Sequence, residues 1–398
     1  MNLRKNSVRK MRVLEGNEAT AYGVLLCQPD VIALYPITPQ TSILDYLYEF
    51  RVDGSLKSEM LSVESEHSAM SALIGAAKAG GRTFTATAAQ GLAFMYEPYI
   101  LASTSRLPIV MVIACRQMQT PPMVGCSEED AMLVRDAGWI QFHAESCQEI
   151  LDTIIMAYKL AEDSNVLLPV NVCYDGFYLS YLSEAVDVPT QEQVEEFLPP
   201  RDISLRLEPQ KAMGSFGGVT GIRGTEYRYK HAAAMERTKA KIDEFDQEFQ
   251  QVFGRGYGGQ IEEYRCEDAD IVLVAVGSCA GTIKVVVDKK RDEGAKVGLI
   301  RVRSFRPFPR ERLVNALMGK KAIGVIDRNV CFGWTCGALF MELKASLYDL
   351  HCHIPAVNFI DGLSGQDITI RHIERAIDII YQVAQGKIPQ EVTWLGLE

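Results

Sequence analysis

Four short stretches of the chain carry residues whose types and spacing could take part in chemistry: anion binding in two, proton transfer in one and close approach of a ligand in one. The first is Tyr35-Pro36-Ile37-Thr38-Pro39-Gln40-Thr41-Ser42, where an apolar run gives way to a helical pattern. Thr38 before Pro39 fits a helix N-cap with proline at the first helical position, so that a hydroxyl and free N–H groups would face a carboxylate. The same residues also make a sound helix start that binds nothing. The second stretch is Val63-Glu64-Ser65-Glu66-His67-Ser68-Ala69. If Glu66 caps the following helix, the helix dipole accounts for its charge. Pressed against small apolar residues, the same carboxylate would hold a raised pKa and serve in proton transfer. The third is Ala86-Thr87-Ala88-Ala89-Gln90-Gly91-Leu92, whose small residues either pack tightly or let a ligand approach the backbone. The fourth is Arg116, followed by Gln117-Met118-Gln119-Thr120-Pro121-Pro122; a guanidinium at the carboxyl end of a strand suits paired hydrogen bonding to a carboxylate. The chain has no Gly-Asp-Gly followed later by Asn to hold Mg²⁺ and a diphosphate, no phosphate-binding P-loop, and no nucleophile elbow.

The elements that must position these residues alternate. Strand-like runs at 30–35, 83–88, 108–115 and 167–174 are rich in Val and Ile without polar alternation, as in strands buried on both faces of a parallel sheet. Helical patterns at 43–50, 67–79, 92–102 and 148–162 lie between them, with Gly80-Gly81 suited to closing the second. Such alternation predicts a doubly wound α/β domain over 14–190. A stretch punctuated by Pro189, Pro199, Pro200 and Pro209, with Gly214-Ser215-Phe216-Gly217-Gly218, leads into a charged helix at 230–252. Residues 191–265 therefore read as a connection laid over a surface. Strands at 271–276, 296–302, 322–326 and 356–359 and a last helix at 368–385 predict a second, smaller α/β domain over 266–398, and residues 1–13 a flexible basic tail.

Composition narrows the class. A formal net charge of −10 over 398 residues argues against nucleic acid as a partner. The longest apolar run, nine residues from Leu107 to Cys115, falls far short of the roughly 20 that span a bilayer. The basic N-terminus has no apolar segment behind it, so a cytoplasmic protein with reduced thiols is expected. The ten cysteines contain no Cys-x-x-Cys spacing, and no metal or cluster site is expected on this chain.

Together the pieces are specific. Tyr35-Pro36-Ile37-Thr38-Pro39, Glu64-Ser65-Glu66-His67, Thr87-Ala88-Ala89-Gln90-Gly91 and Arg116, in that order, resemble the alpha subunit of the 2-oxoacid:ferredoxin oxidoreductases. The likeness continues through Val134-Arg135-Asp136-Ala137-Gly138-Trp139, Asp175-Gly176-Phe177, Gly277-Ser278, Arg306-Pro307-Phe308-Pro309 and Asp327-Arg328. It implies a pyrimidine-type thiamine diphosphate domain followed by a transketolase C-terminal-like domain. It also implies that Glu66 hydrogen-bonds the aminopyrimidine and so promotes loss of the thiazolium proton, and that Thr38 and Arg116 orient the substrate carboxylate. Tyr35, Pro36, Ile37, Gln90 and Gly91 would complete the cofactor-binding surface. The reaction implied is CoA-acylating oxidative decarboxylation of a 2-oxoacid, the cofactor acting as electron sink. Mg²⁺, the diphosphate and the iron–sulfur clusters would sit on partners: a beta subunit, and gamma and ferredoxin-like subunits, with ferredoxin or NAD as acceptor. The chain alone would be inactive.

The sequence departs from pyruvate-type relatives after Arg116. Pro121-Pro122-Met123-Val124-Gly125-Cys126 stands where many have a polar Asn-Asp-His stretch, and Tyr181 replaces a histidine after Asp175-Gly176-Phe177. A less polar loop predicts an aromatic or branched 2-oxoacid such as phenylglyoxylate, with pyruvate the alternative. Two other classes are a transketolase-like or NAD-linked decarboxylating enzyme, and a structural subunit without chemistry. The first lacks Tyr35-Pro36-Ile37-Thr38-Pro39 paired with Arg116, and retention of Thr38, Glu66 and Arg116 together speaks against the second.

Overall fold

The computed structural model describes residues 10–118, 123–201, 206–208, 210, 218–388, 390 and 392–397. Pro121-Pro122, Pro209, Gly214–Gly217 and residues 1–9 of the expected tail lie outside the described residues.

Eight strands form in the first half: β1 (Lys10–Glu15), β2 (Val31–Leu34), β3 (Glu59–Ser62), β4 (Thr83–Thr87), β5 (Ile109–Cys115), β6 (Ile140–His143), β7 (Val170–Asp175) and β8 (Ser183–Val188). Seven follow: β9 (Ile261–Tyr264), β10 (Ile271–Ala275), β11 (Val297–Val302), β12 (Ser304–Arg306), β13 (Ala322–Asp327), β14 (Ala356–Ile360) and β15 (Val392–Trp394). The larger sheet runs β12-β6-β7-β5-β4-β2-β3 and the smaller runs β15-β14-β13-β10-β11-β9, while β1 pairs only with β8. From β6 to β3 every pairing in the larger sheet is parallel. Its central strands β4, β5 and β7 are buried at every residue; β5 is apolar throughout, whereas β4 interleaves Thr83, Thr85 and Thr87 and β7 carries Asn171 and Asp175. The α/β class, two-part architecture and parallel order are as the sequence predicts.

Three expectations need correction. Residues 10–13 are not tail but part of β1, which pairs antiparallel with β8. The charged helix spans Gly221–Phe253 and is more than a surface connection. Ala234, Thr238, Ile242, Phe245, Phe249 and Phe253 make a buried stripe at three- and four-residue spacing, joined to the first core. Thr38 is not a helix cap. The Gln40 N–H donates to the Ile37 carbonyl, making a turn, and the helix begins only at Thr41.

The halves interlock through backbone as well as side chains. Having left β11, the chain adds β12 antiparallel to β6, so a strand from the second half completes the larger sheet. No helix among the described residues is long and apolar enough to cross a membrane.

Candidate active site at the carboxyl edge of the larger sheet

Parallel strands deliver their C-terminal ends to one edge, where open α/β sheets bind ligands. Four stretches singled out in the sequence emerge there: Tyr35–Gln40 after β2, Val63–Glu66 after β3, Ala88–Gly91 after β4 and Arg116 after β5.

Glu66 opens the helix Glu66–Lys78, but the cap is Ser65, whose hydroxyl accepts the Ser68 N–H at 3.2 Å. Glu66 is therefore free of capping duty. It is 6% exposed, and burial raises its carboxyl pKa. Its carboxylate rests on Gly91: a Cβ at that position would stand 2.4 Å from Glu66 Oε1 and 2.6 Å from Thr87 Oγ1. The second and third stretches thus meet, and a side chain at position 91 would have to push the Glu66 carboxylate or the Thr87 hydroxyl aside. The buried Thr87 hydroxyl has no hydrogen-bond partner. Gln90 is half-buried beside it.

The first and fourth stretches also meet. Arg116 Nη1 donates to the Thr38 carbonyl at 3.0 Å, while Nε and Nη2 donate to the Met123 carbonyl at 3.3 and 3.1 Å. Both acceptors are neutral backbone, so the guanidinium keeps its full charge on the rim of the site, though partial burial lowers its pKa. Thr38 itself is exposed. The loop that carries it is held from below. Asn17 Nδ2 donates to the Pro39 carbonyl at 2.7 Å and to Ser42 Oγ at 2.8 Å, and Tyr181 Oη donates to the same carbonyl at 3.1 Å. Tyr174 Oη in turn donates to Asn17 Oδ1 at 2.6 Å. Gly176 admits the Pro39 ring, since a Cβ there would lie 2.7 Å from Pro39 Cγ. Tyr35, Pro36 and Ile37 span from strand to turn, and Gln40 Nε2 closes that turn on the Tyr35 carbonyl at 2.8 Å.

Sequence reasoning missed two contributors. Asn17 lies in a helix of small buried residues, Gly16–Cys27, with nothing to mark it. Asp130 is 1% exposed and accepts the N–H groups of Ala89, Arg116 and Ala131 at 2.8, 2.9 and 2.8 Å. The run Glu128-Glu129-Asp130 before an apolar helix was the available signal. Burial pushes the Asp130 carboxyl up to about 7, against the pull of those three N–H donors.

The donor set suits thiamine diphosphate in part. A sequestered carboxylate with raised pKa, filling the space that a side chain at Gly91 would take, fits a ring nitrogen that must be protonated and deprotonated. Among the described residues no group of three or more His, Cys, Asp or Glu side chains is arranged to hold a metal ion, so Mg²⁺ finds no such cluster of ligands there.

Comparison with known proteins bears on this geometry. Residues 22–247 match the family model for pyruvate flavodoxin/ferredoxin oxidoreductase, thiamine diphosphate-binding, and residues 269–373 match that for pyruvate:ferredoxin oxidoreductase core domain II. The chain is 44% identical to the alpha subunit of NADH-dependent phenylglyoxylate dehydrogenase from Aromatoleum evansii, over 98% of this chain and 96% of that one. It is 45% identical to pyruvate synthase subunit PorA of Methanothermobacter thermautotrophicus, over 98% of each. With ketoisovalerate oxidoreductase subunit VorA of Pyrococcus horikoshii the identity is 44% over 99% of each. Among solved structures, 2-oxoglutarate:ferredoxin oxidoreductase from Magnetococcus marinus shares the fold with a TM-score of 0.74 at 18% identity, over 93% of this chain and 65% of that one. The chain therefore spans about two thirds of that neighbour. A split-gene transketolase shares the fold at a TM-score of 0.56 and 14% identity.

Proposed function

The chain belongs to the alpha subunits of the 2-oxoacid:ferredoxin oxidoreductases, and from that premise we propose that Glu66, Thr38 and Arg116 are its half of a thiamine diphosphate site completed by a beta subunit. The single observation that carries this reading is the Glu66 carboxylate, buried, raised in pKa and seated on Gly91. When bound, the cofactor supplies the electron sink for loss of CO₂ from the 2-oxoacid. Glu66 would hydrogen-bond the aminopyrimidine ring nitrogen of the bound cofactor and hold the proton shared there. Arg116 supplies a fixed positive charge for the substrate carboxylate, and Thr38 adds a hydroxyl on the same rim. Tyr35, Pro36, Ile37, Gln90 and Gly91 shape the surface the pyrimidine rests on. Mg²⁺ and the iron–sulfur clusters belong to partner subunits, the latter on gamma and ferredoxin-like chains. The acyl group passes to coenzyme A and the electrons to ferredoxin or NAD.

For the substrate the reading is an aromatic 2-oxoacid such as phenylglyoxylate. Its support is the apolar segment beside the guanidinium: Arg116 grips the Met123 carbonyl, and the next residue, Val124, is 47% exposed. Tyr181, in place of a histidine, spends its hydroxyl on the Pro39 carbonyl and presents an aromatic face.

One experiment on the assembled complex tests both levels. Glu66→Gln is expected to slow exchange of the cofactor's thiazolium proton by roughly 10²-fold or more, the scale of a general acid–base group. Exchange at the unmodified rate sinks the Glu66 role. Turnover of phenylglyoxylate and pyruvate by the unmodified complex then reads the pocket, and a clear preference for pyruvate removes the aromatic substrate while leaving Glu66 intact.

A further inference from the structure

Two of the loops that carry the site are tied together by one side chain with no part in the chemistry just described. Asp130 is buried in the short helix Glu129–Leu133. Its Oδ2 accepts the Ala89 N–H at 2.8 Å and the Arg116 N–H at 2.9 Å, and its Oδ1 accepts the Ala131 N–H at 2.8 Å. Ala89 opens the turn that leads to Gly91, on which Glu66 rests. Its φ of 41° lies in the left-handed region that an alanine adopts only under restraint. Arg116 begins the segment whose guanidinium holds the Thr38 and Met123 carbonyls. A single oxygen therefore bridges the turn after β4 and the turn after β5, two parallel neighbours in the sheet. Bonds from N–H donors to an ionised oxygen are the strong, short kind, which suits a role in registration.

We propose that Asp130 is the positioning residue of this site, setting the Arg116 guanidinium in register with the Ala89–Gly91 turn without touching substrate or cofactor. The proposal rests on the reading that Arg116 receives the substrate carboxylate. An amide would keep one oxygen able to serve both turns, so the informative change removes the acceptor altogether: in Asp130→Ala the Ala89 and Arg116 N–H groups lose their shared partner. The groups facing Asp130 are Glu129 on its own helix, Cys115 and Arg116 at the end of β5, and Cys126 from the following loop.

The test uses the assembled complex carrying Asp130→Ala, with assembly checked by native mass spectrometry. KM for the 2-oxoacid, assayed with both phenylglyoxylate and pyruvate, is expected to rise about tenfold, the loss of one charge-assisted hydrogen bond, with kcat changed much less. Hydrogen exchange should show the amides of Ala89 and Arg116 losing protection while those inside β5 keep theirs. A merely structural aspartate would lower the thermal midpoint and loosen amides broadly, leaving KM alone. Unchanged KM, or protection retained at Ala89 and Arg116, overturns the proposal. Should the variant fail to assemble, the unmodified complex answers instead. Protonating Asp130 on acidification should loosen the amides of residues 89 and 116 at one shared midpoint, and separate midpoints or no response overturn it. Arg116→Lys is the control on the parent reading: if KM is unmoved there, the substrate role of Arg116 fails whatever the amides of Asp130's partners do.

Discussion

At the scale of single residues the site depends on how little room Glu66 has. A carboxylate only 6% exposed loses hydration that its ionised form needs, so burial lifts its pKa toward the range where a proton can be both held and released. That advantage survives only while the side chain stays seated on Gly91. Gly91→Ala would bring a methyl to 2.4 Å from Glu66 Oε1 and 2.6 Å from Thr87 Oγ1, so one of those flexible groups must swing away. Displacing a reacting group by about 1 Å costs on the order of 10²-fold. The expected outcome is a fall of that order in kcat of the complex with its assembly intact, and an unchanged kcat would mean that the carboxylate is not used where it stands. The sequence made Glu66, Gly91, Thr38 and Arg116 legible as separate pieces, because each is of a telling type at the end of an apolar run. It could not show that Gly91 serves Glu66, since contact between residues 25 apart in the chain is a product of sheet order. It misread Thr38 as a cap because the turn from Ile37 to Gln40, which delays the helix to Thr41, leaves no mark in residue types.

At the scale of elements, what the sequence revealed follows what each element buries. Strands buried on both faces announce themselves, as β5 does with seven buried residues in a row. β3, at the sheet's edge, alternates in no useful way and is half exposed, and β6 places Gln141 and His143 in the interior, so both escaped notice. The helix Gly16–Cys27 is buried around most of its girth by small residues, which erases the stripe that marks an amphipathic helix. The long helix Gly221–Phe253 fails in the opposite sense. Its charges dominate the composition, yet Phe245, Phe249 and Phe253 repeat every four residues along the face turned to the core. Phe249 is fully buried, stacked on Phe253 with ring centroids 4.1 Å apart and edge-on to Phe197 at 5.2 Å. Truncating such a ring costs about 3–5 kcal/mol, through lost burial and the cavity left behind. Phe249→Ala should therefore lower the thermal midpoint of the chain by several degrees, whereas a helix lying loosely on the surface would permit the change with no measurable shift.

At the scale of the whole molecule, the junction between the two sheets is built from buried charge. Arg301 and Arg303, in and just after β11, donate to Glu149 of the helix Cys147–Glu162 at 2.7 and 2.6 Å, and Arg328 pairs with Asp175 at 2.9 Å. These pairs join residues more than 150 positions apart, so no sequence spacing announces them. Burial would raise the Glu149 carboxyl, but the two guanidinium groups hold it down at about 2. Its contribution is thus complete above the ordinary value of 4.5 and fades only as pH falls toward 2. His143 titrates in the other direction. Burial opposes charging its ring, yet the Cys173 sulfur and the Glu128 carboxylate, 3.6 Å from Nδ1, raise its pKa from 6.5 to about 9. A raised pKa contributes stability that is complete below 6.5 and lost as pH climbs to 9. The shift corresponds to on the order of 3 kcal/mol, at about 1.4 kcal/mol per unit. Asp130 and Asp327, raised by burial to about 7, have given up their share by that pH and add little above it. The window from 7 to 8 therefore isolates the His143–Glu128 pair, lying below the ordinary value of 9 near which the buried thiols, raised by burial, begin to cost stability. Since removing histidine alone would strand the buried Glu128 carboxylate without its partner, the informative variant is the double change His143→Gln with Glu128→Gln. The unmodified chain should show a thermal midpoint that falls steadily from pH 7 to 8, and the double variant a midpoint nearly level across the same interval. If both fall in parallel, the loss originates elsewhere, and the pair at the junction carries no charge to lose.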